Sequence, residues 1–162
     1  MDKYVVPKDF SLSLAIVDFI PTLFFFGSMI LISLKFHSML FLIGTSLMAF
    51  AGLSKALWKI IVVLKQRNIW FLFIQMRITM PIGFLLVILS LIFKRNAIDF
   101  NLLIKSIMSY PSIIFFILGF VLMIVMLIFG FTLDGSKSKN NWIEQTTNII
   151  AQACFFIGIL AM

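Results

Sequence analysis

A single cysteine, Cys154, and a single histidine, His37, are the one thiol and the one imidazole among the 162 residues. One thiol closes no internal disulfide and makes no CxxC pair, and one imidazole cannot supply both axial ligands of a haem. No metal and no other cofactor is expected. Charge is scarce as well: 12% of the residues are charged and only six are acidic, where a soluble domain carries about 25% charged residues. Paired carboxylates of the kind that catalyse or hold metals have no visible motif, so no catalytic residue is assigned. The chain also lacks an inverted repeat and a selectivity-filter sequence, which removes two large transporter and channel architectures. No dense basic run precedes the first apolar stretch and no small-x-small site follows it, so that stretch is expected to be a retained helix and not a cleaved leader.

What is present is hydrophobic length. The chain is 62% hydrophobic with a mean hydropathy of +1.16, far above a soluble domain at ~45 to 50% apolar. With about 20 apolar residues per crossing, there is room for about four to six helices and for no separate soluble domain. The expected fold is an all-α polytopic membrane protein in one integral domain. The net charge of +7 does not point to nucleic acid here. Most Lys and Arg fall at helix ends, where they set orientation and meet anionic lipid head groups.

Five crossings are expected, at 11–34, 38–64, 69–93, 111–133 and 142–162, with a short interfacial helix before the fourth. Asp9 or Ser11 suits the cap of the first crossing, and Asp18 and Pro21 make a polar notch on one of its faces because the proline frees the Val17 carbonyl. Lys35, Phe36 and His37 form a tight turn. The second crossing carries a stripe of small residues, Thr45, Ala49, Gly52 and Ala56, that permits close helix approach. Beside it stand Lys55 and Lys59. Lys55 lies about nine residues, or ~13 Å, from the helix end, near the middle of a core ~30 Å thick. Snorkelling that far is strained, whereas Lys59 is near enough to the head groups to reach them.

Lys65, Gln66, Arg67 and Asn68 form the next turn. The third crossing holds Gln75, Arg77 and Thr79 in its first half, and Pro81 removes the hydrogen bond to the Arg77 carbonyl. The Arg77 guanidinium offers a planar fork suited to carboxylate or phosphate, or to structural pairing with Asp18 or Glu144. After Lys94, Arg95 and Asn96, the mixed segment 97–108 suits a helix in the interface. Ser109, Tyr110 and Pro111 read as cap, belt aromatic and first-turn proline of a fourth crossing that is structural and lipid-facing. Residues 134–141 read as a solvated loop. In the fifth crossing Asn141, Glu144 with Gln145, Asn148 and Gln152 recur at spacings of three and four, a stripe that cannot face lipid.

Sorting helix ends by alternation puts Asp18, Lys55, Lys59, Gln75, Arg77, Glu144, Gln145, Asn148 and Gln152 in one half of the membrane, on the side of the N-terminus. The other leaflet is almost purely apolar. Trp58, Trp70 and Trp142 gather on the same side as a belt would. Basic residues are more numerous there too, which puts the N-terminus in the cytoplasm, and composition leans to a bacterial cytoplasmic membrane.

Lys55, Arg77, Asp18, Glu144, Asn148, Gln152, Lys59 and Gln75 are thus the candidate ligand-binding set. If all charges converge one positive charge remains, favouring an anionic or zwitterionic guest such as a small anion or a lipid head group. The function expected first is a small transporter or solute-binding membrane subunit. The alternatives are a non-catalytic accessory subunit docked to a partner membrane protein, and an enzyme acting on lipid or isoprenoid substrates with Asp18 or Glu144 as base. The small stripe of the second crossing and the apolar fourth crossing also permit a homo-oligomer.

Overall fold

The computed structural model describes residues 11–36, 38–65, 69–94, 100–134 and 137–162. Every regular element among them is a helix. They are α1 (Leu12–Val17), α2 (Phe19–Phe36), α3 (Met39–Lys65), α4 (Trp70–Phe93), α5 (Phe100–Ile107), α6 (Ser112–Thr132) and α7 (Ser138–Leu160). Five stretches are long and apolar enough to cross a membrane: Leu12–Lys35 across the α1–α2 break, Met39–Lys65, Ile74–Phe93, Ser112–Thr132 and Ser138–Leu160. His37, the turn residues Gln66, Arg67 and Asn68, the segment 95–99, the loop residues 135–136 and the lead 1–10 with Asp9 lie outside the described residues.

The first crossing is two helices and not one. Ser11 caps α1 by accepting a bond from the Leu14 N–H at 3.3 Å, α1 stops at Val17, and Asp18 stands between it and α2. The break follows from Pro21. A proline has no N–H to give to Val17, but three residues into a new helix no N–H is required, so restarting at Phe19 puts the proline where it is tolerated. Thr22 steadies the joint by donating its hydroxyl to the Asp18 carbonyl at 3.4 Å.

Two other boundaries differ from the pattern in the sequence. Helix α7 starts one turn before Trp142, because the backbone N–H groups of Asn140 and Asn141 bond the Lys137 carbonyl at 3.1 and 3.2 Å and the Asn140 side chain donates to the Asp134 carbonyl at 3.1 Å. Ser109 does not cap α6. Its hydroxyl donates to the Ser106 carbonyl at 2.7 Å at the end of α5, and Pro111 holds the cap position without a side-chain bond.

The crossings form a row. Helix α3 packs on α4 on one side and on α1 and α2 on the other, α2 packs on α7, and α7 packs on α6, which also carries the short amphipathic α5. In space the order of crossings is therefore third, second, first, fifth, fourth. The row is bent, since side chains from all five crossings line a common cavity.

Close approach is what seats α4 on α3. A Cβ on Gly44 would stand 2.7 Å from the Gly83 carbonyl oxygen, and one on Gly83 would stand 2.6 Å from the Gly44 carbonyl oxygen. The two backbones touch, so dispersion and Cα–H···O contacts act between them without side chains intervening. A Cβ on Gly52, on the small stripe read from the sequence, would stand 2.9 Å from the Thr22 methyl of α2, a side-chain neighbour and not backbone. The Gly44–Gly83 crossing lies outside that stripe. Trp58 is buried, 6% exposed, and does not stand in an interfacial belt.

At the far end of the same pair, the Ser38 and Ser90 hydroxyls meet at 2.6 Å in a buried contact, and Ser38 also accepts from the Phe41 N–H at 3.3 Å. Ser38→Ala removes a helix cap and orphans Ser90 together, and we expect a loss of about 1 to 2 kcal/mol in a denaturation series in detergent. Ser90→Ala keeps the cap and loses less.

Candidate functional site

Helices α3 and α7 stand apart, joined through α1 and α2, which pack on both. The gap is an open cavity of about 520 Å³. Its lining is layered, because the helices run antiparallel and each residue's depth follows from its distance along its own helix. Asp18, Lys59 and Glu144 lie six residues in from Leu12, Lys65 and Ser138, a depth of ~9 Å. Lys55 and Asn148 lie ten residues in, at ~15 Å. Deeper still lie Phe25 and Met48, while Met126, six residues in from Thr132, stands at the outer level and Met76 and Met80 bring α4 to the wall. The charged side chains thus keep to the outer part of the cavity, and beneath them lie Phe25, Met48 and the Gln152 amide.

Within the charged layers the groups are not equivalent. Lys59 donates to Asp18 in an ion pair whose side chains are only 18% and 11% exposed. The α1–α2 break is what brings the Asp18 carboxylate over α3, and pairing offsets the desolvation that each ion would suffer alone. Lys55 sits one turn deeper on the same face, within electrostatic range of both. Among the described residues it has no hydrogen-bond or ion-pair partner. Glu144, half-buried in the lining, likewise has none. Next to it the Gln145 side-chain oxygen is buried without a donor, and Gln152 reaches only the Met123 sulfur, at 3.9 Å. Glu144, Gln145 and Gln152 of the α7 stripe therefore leave most of their polar groups unused among the described residues.

Of the eight residues singled out from the sequence, the cavity brings together Asp18, Lys55, Lys59, Glu144, Asn148 and Gln152. Gln75 and Arg77 are not in its lining. Gln75 is buried in the stripe of α4 that also holds Thr79, Gly83 and Ser90, where it accepts from the Thr79 hydroxyl at 3.0 Å while its side-chain nitrogen is left buried without a partner. Arg77, two residues on, points elsewhere and is exposed, with Ile78, Pro81 and Ile82 exposed near it. Two residues on a helix differ by about 200°. Sharing a leaflet did not make Gln75 and Arg77 share a face with the rest.

Removing Arg77 from the lining changes its charge. Lys55 and Lys59 face Asp18 and Glu144, so the ionised cavity is neutral and not singly positive. The sequence reading passed over the methionines, which have no charge or spacing signal to mark them, and gave the fourth crossing no part in the site, although Met126 of α6 reaches the lining. Among the described residues no three His, Cys, Asp or Glu side chains converge as metal ligands.

No protein-family model, curated protein or solved structure matches this chain. What the cavity can do follows from its own chemistry. A half-buried ammonium, a half-buried carboxylate and a row of side-chain amides, open to one side and flanked by thioethers and an aromatic ring, suit the holding of a polar guest with an apolar part.

Proposed function

We propose that the protein is a small membrane transporter or solute-binding membrane subunit whose cavity takes an anionic or zwitterionic ligand. The observation that carries this reading is Lys55. An ammonium about halfway into a membrane crossing, in a cavity and without a partner among the described residues, is costly unless something else answers its charge. Asp18 is already engaged by Lys59, so the answering group is a guest. The break ahead of Pro21 and the backbone hydrogen bond that Pro81 cannot make inside α4 supply joints where the helices bordering the cavity can shift. In this reading the protein sits in a bacterial cytoplasmic membrane with its N-terminus and the cavity mouth on the cytoplasmic side.

Native mass spectrometry of the protein released from its own membrane in mild detergent tests this. A bound small molecule or lipid on the wild type, weakened about 10- to 100-fold in Lys55→Ala as expected for one charged hydrogen bond, supports it. A stoichiometric second protein lost with the same substitution sinks it and makes the polar face a subunit interface.

That second reading, an accessory subunit, draws on Arg77, whose permanent charge lies on the exposed face of α4 and offers a docking point to an acidic partner helix. Catalysis on a lipid or isoprenoid substrate is less well supported. Asp18 is held by Lys59 and Glu144 would have to act as base alone.

A further inference from the structure

The charged groups left unanswered in the cavity differ in sign and in depth, and this difference carries information about the guest. At the outer level stand two acceptors, the Glu144 carboxylate and the buried, unpartnered Gln145 oxygen. About four residues deeper, ~6 Å along the axis, stands the Lys55 ammonium. Below it stand Phe25 and Met48, with the Gln152 amide as the one polar side chain at that depth among the lining residues. Asp18 and Lys59 neutralise one another and leave no net charge to be answered.

We infer that the site takes a zwitterionic amphiphile with a primary ammonium outermost, an anionic group next and an apolar chain innermost, as in an aminoethyl phosphate ester. The inference rests on the ligand-binding reading of the cavity and sharpens it. Glu144 and the Gln145 oxygen both accept, so they need N–H donors. A primary ammonium has three and a trimethylammonium has none. Lys55 supplies charge and donors to the anion, and its level is separated from that of Glu144 by about the reach of a two-carbon link. Phe25 and the Met48 thioether below it, with Met76, Met80 and Met126 on the wall, accommodate a flexible chain without demanding one shape. The same head-group chemistry comes from two sources, an aminophospholipid entering from the bilayer or a free aminoalkyl phosphate entering from the mouth.

The test uses purified full-length protein in mild detergent, titrated with dihexanoyl phosphatidylethanolamine, dihexanoyl phosphatidylcholine, dihexanoyl phosphatidic acid and O-phosphoethanolamine, with binding read by native mass spectrometry. The ethanolamine lipid is expected to bind wild type about 10-fold or more tightly than the choline lipid, from the charged hydrogen bonds that only a primary ammonium makes. Glu144→Gln is expected to bring that ratio to about 2-fold or less while leaving phosphatidic acid binding within about 2-fold, and Glu144→Asp restores part of the preference. Lys55→Gln weakens all three lipids. Binding of O-phosphoethanolamine as tightly as the ethanolamine lipid identifies the free solute as the source, with the head-group inference upheld.

Equal binding of the ethanolamine and choline lipids, or a preference untouched by Glu144→Gln, overturns the inference. If Lys55→Gln still weakens those lipids, the ligand-binding reading survives that result. A wild type that binds none of the four probes also overturns the inference, and the ligand-binding reading is then decided by whether an endogenous small molecule accompanies the protein from its own membrane. Each variant is checked for wild-type helical content and a monodisperse elution profile, and the Asp variant at position 144 separates loss of the carboxylate's reach from loss of the fold.

Discussion

Lys59→Met will destabilise the protein by about 3 kcal/mol, whereas Lys59→Met combined with Asp18→Asn will lie within about 1 kcal/mol of wild type. The asymmetry comes from what each substitution leaves behind. Both side chains are largely withdrawn from solvent, 18% and 11% exposed, and the pair is the charged contact between α3 and the joint of α1 and α2. Removing the lysine alone strands a carboxylate at ~9 Å depth with only Lys55, a turn away, to answer it. Removing both charges removes the desolvation cost along with the attraction. Urea or SDS titration of the four proteins of the double-mutant cycle, followed by far-ultraviolet circular dichroism, measures the coupling. Additive losses in the double variant would show that the contact is incidental to holding α1 and α2 against α3. The cycle also bears on Lys55: in Lys59→Met the Asp18 carboxylate is released to it, so ligand binding at Lys55 should weaken even where the fold persists.

Gly83→Leu will cost about 3 kcal/mol, and Gly130→Ala will change stability by less than about 0.5 kcal/mol. Both are glycines in apolar helices, and nothing in their local sequence separates them. A Cβ at Gly83 meets a backbone oxygen at 2.6 Å and the Met48 side chain at 2.7 Å, while a Cβ at Gly130 meets nothing within 4 Å. A side-chain tip can swing away, but a helix backbone gives only by moving the whole helix. The damage is local in principle, since α4 packs on α3, and the expected result is loss of the α4 contact with α1, α2, α6 and α7 still assembled. Cysteine cross-linking across α3 and α4, compared with cross-linking across α6 and α7, distinguishes that partial opening from global unfolding. Met48 and Met80 also line the cavity, so prising α4 away should loosen the site as well as the fold.

The five crossings were legible because the criterion is only length and hydropathy: a stretch of ~20 apolar residues pays for leaving water whatever it packs against. Polar residues crowded into one leaflet were legible for the same reason, since depth along a helix is a count along the chain. The α7 stripe was legible through its period. Rotation about the helix axis was not. In α2, α4 and α6 apolar side chains surround the helix on every side, so the pattern holds almost no information on which face meets a neighbour. That is why Gln75 and Arg77 were grouped with Lys55 although one is buried in the α4 stripe and the other is exposed, and why Met48, Met80 and Met126 escaped notice.

The joint at Asp18 was half-visible. Pro21 announced a lost hydrogen bond, yet whether a proline kinks a helix or ends one and begins another is not written in the local pattern, and here Thr22 holds the Asp18 carbonyl and Lys59 its carboxylate at the joint. What the chain determined by itself was therefore how many stretches are long and apolar enough to cross a membrane, how far along its helix each charge lies and which end of the bundle is polar, because these are properties of single segments. Which charges pair, which one is left facing the cavity and which helices are neighbours were decided only by the tertiary structure. Those outcomes depend on close contacts such as Gly44 against Gly83, between residues far apart along the chain, whose energy exists only once the helices have met.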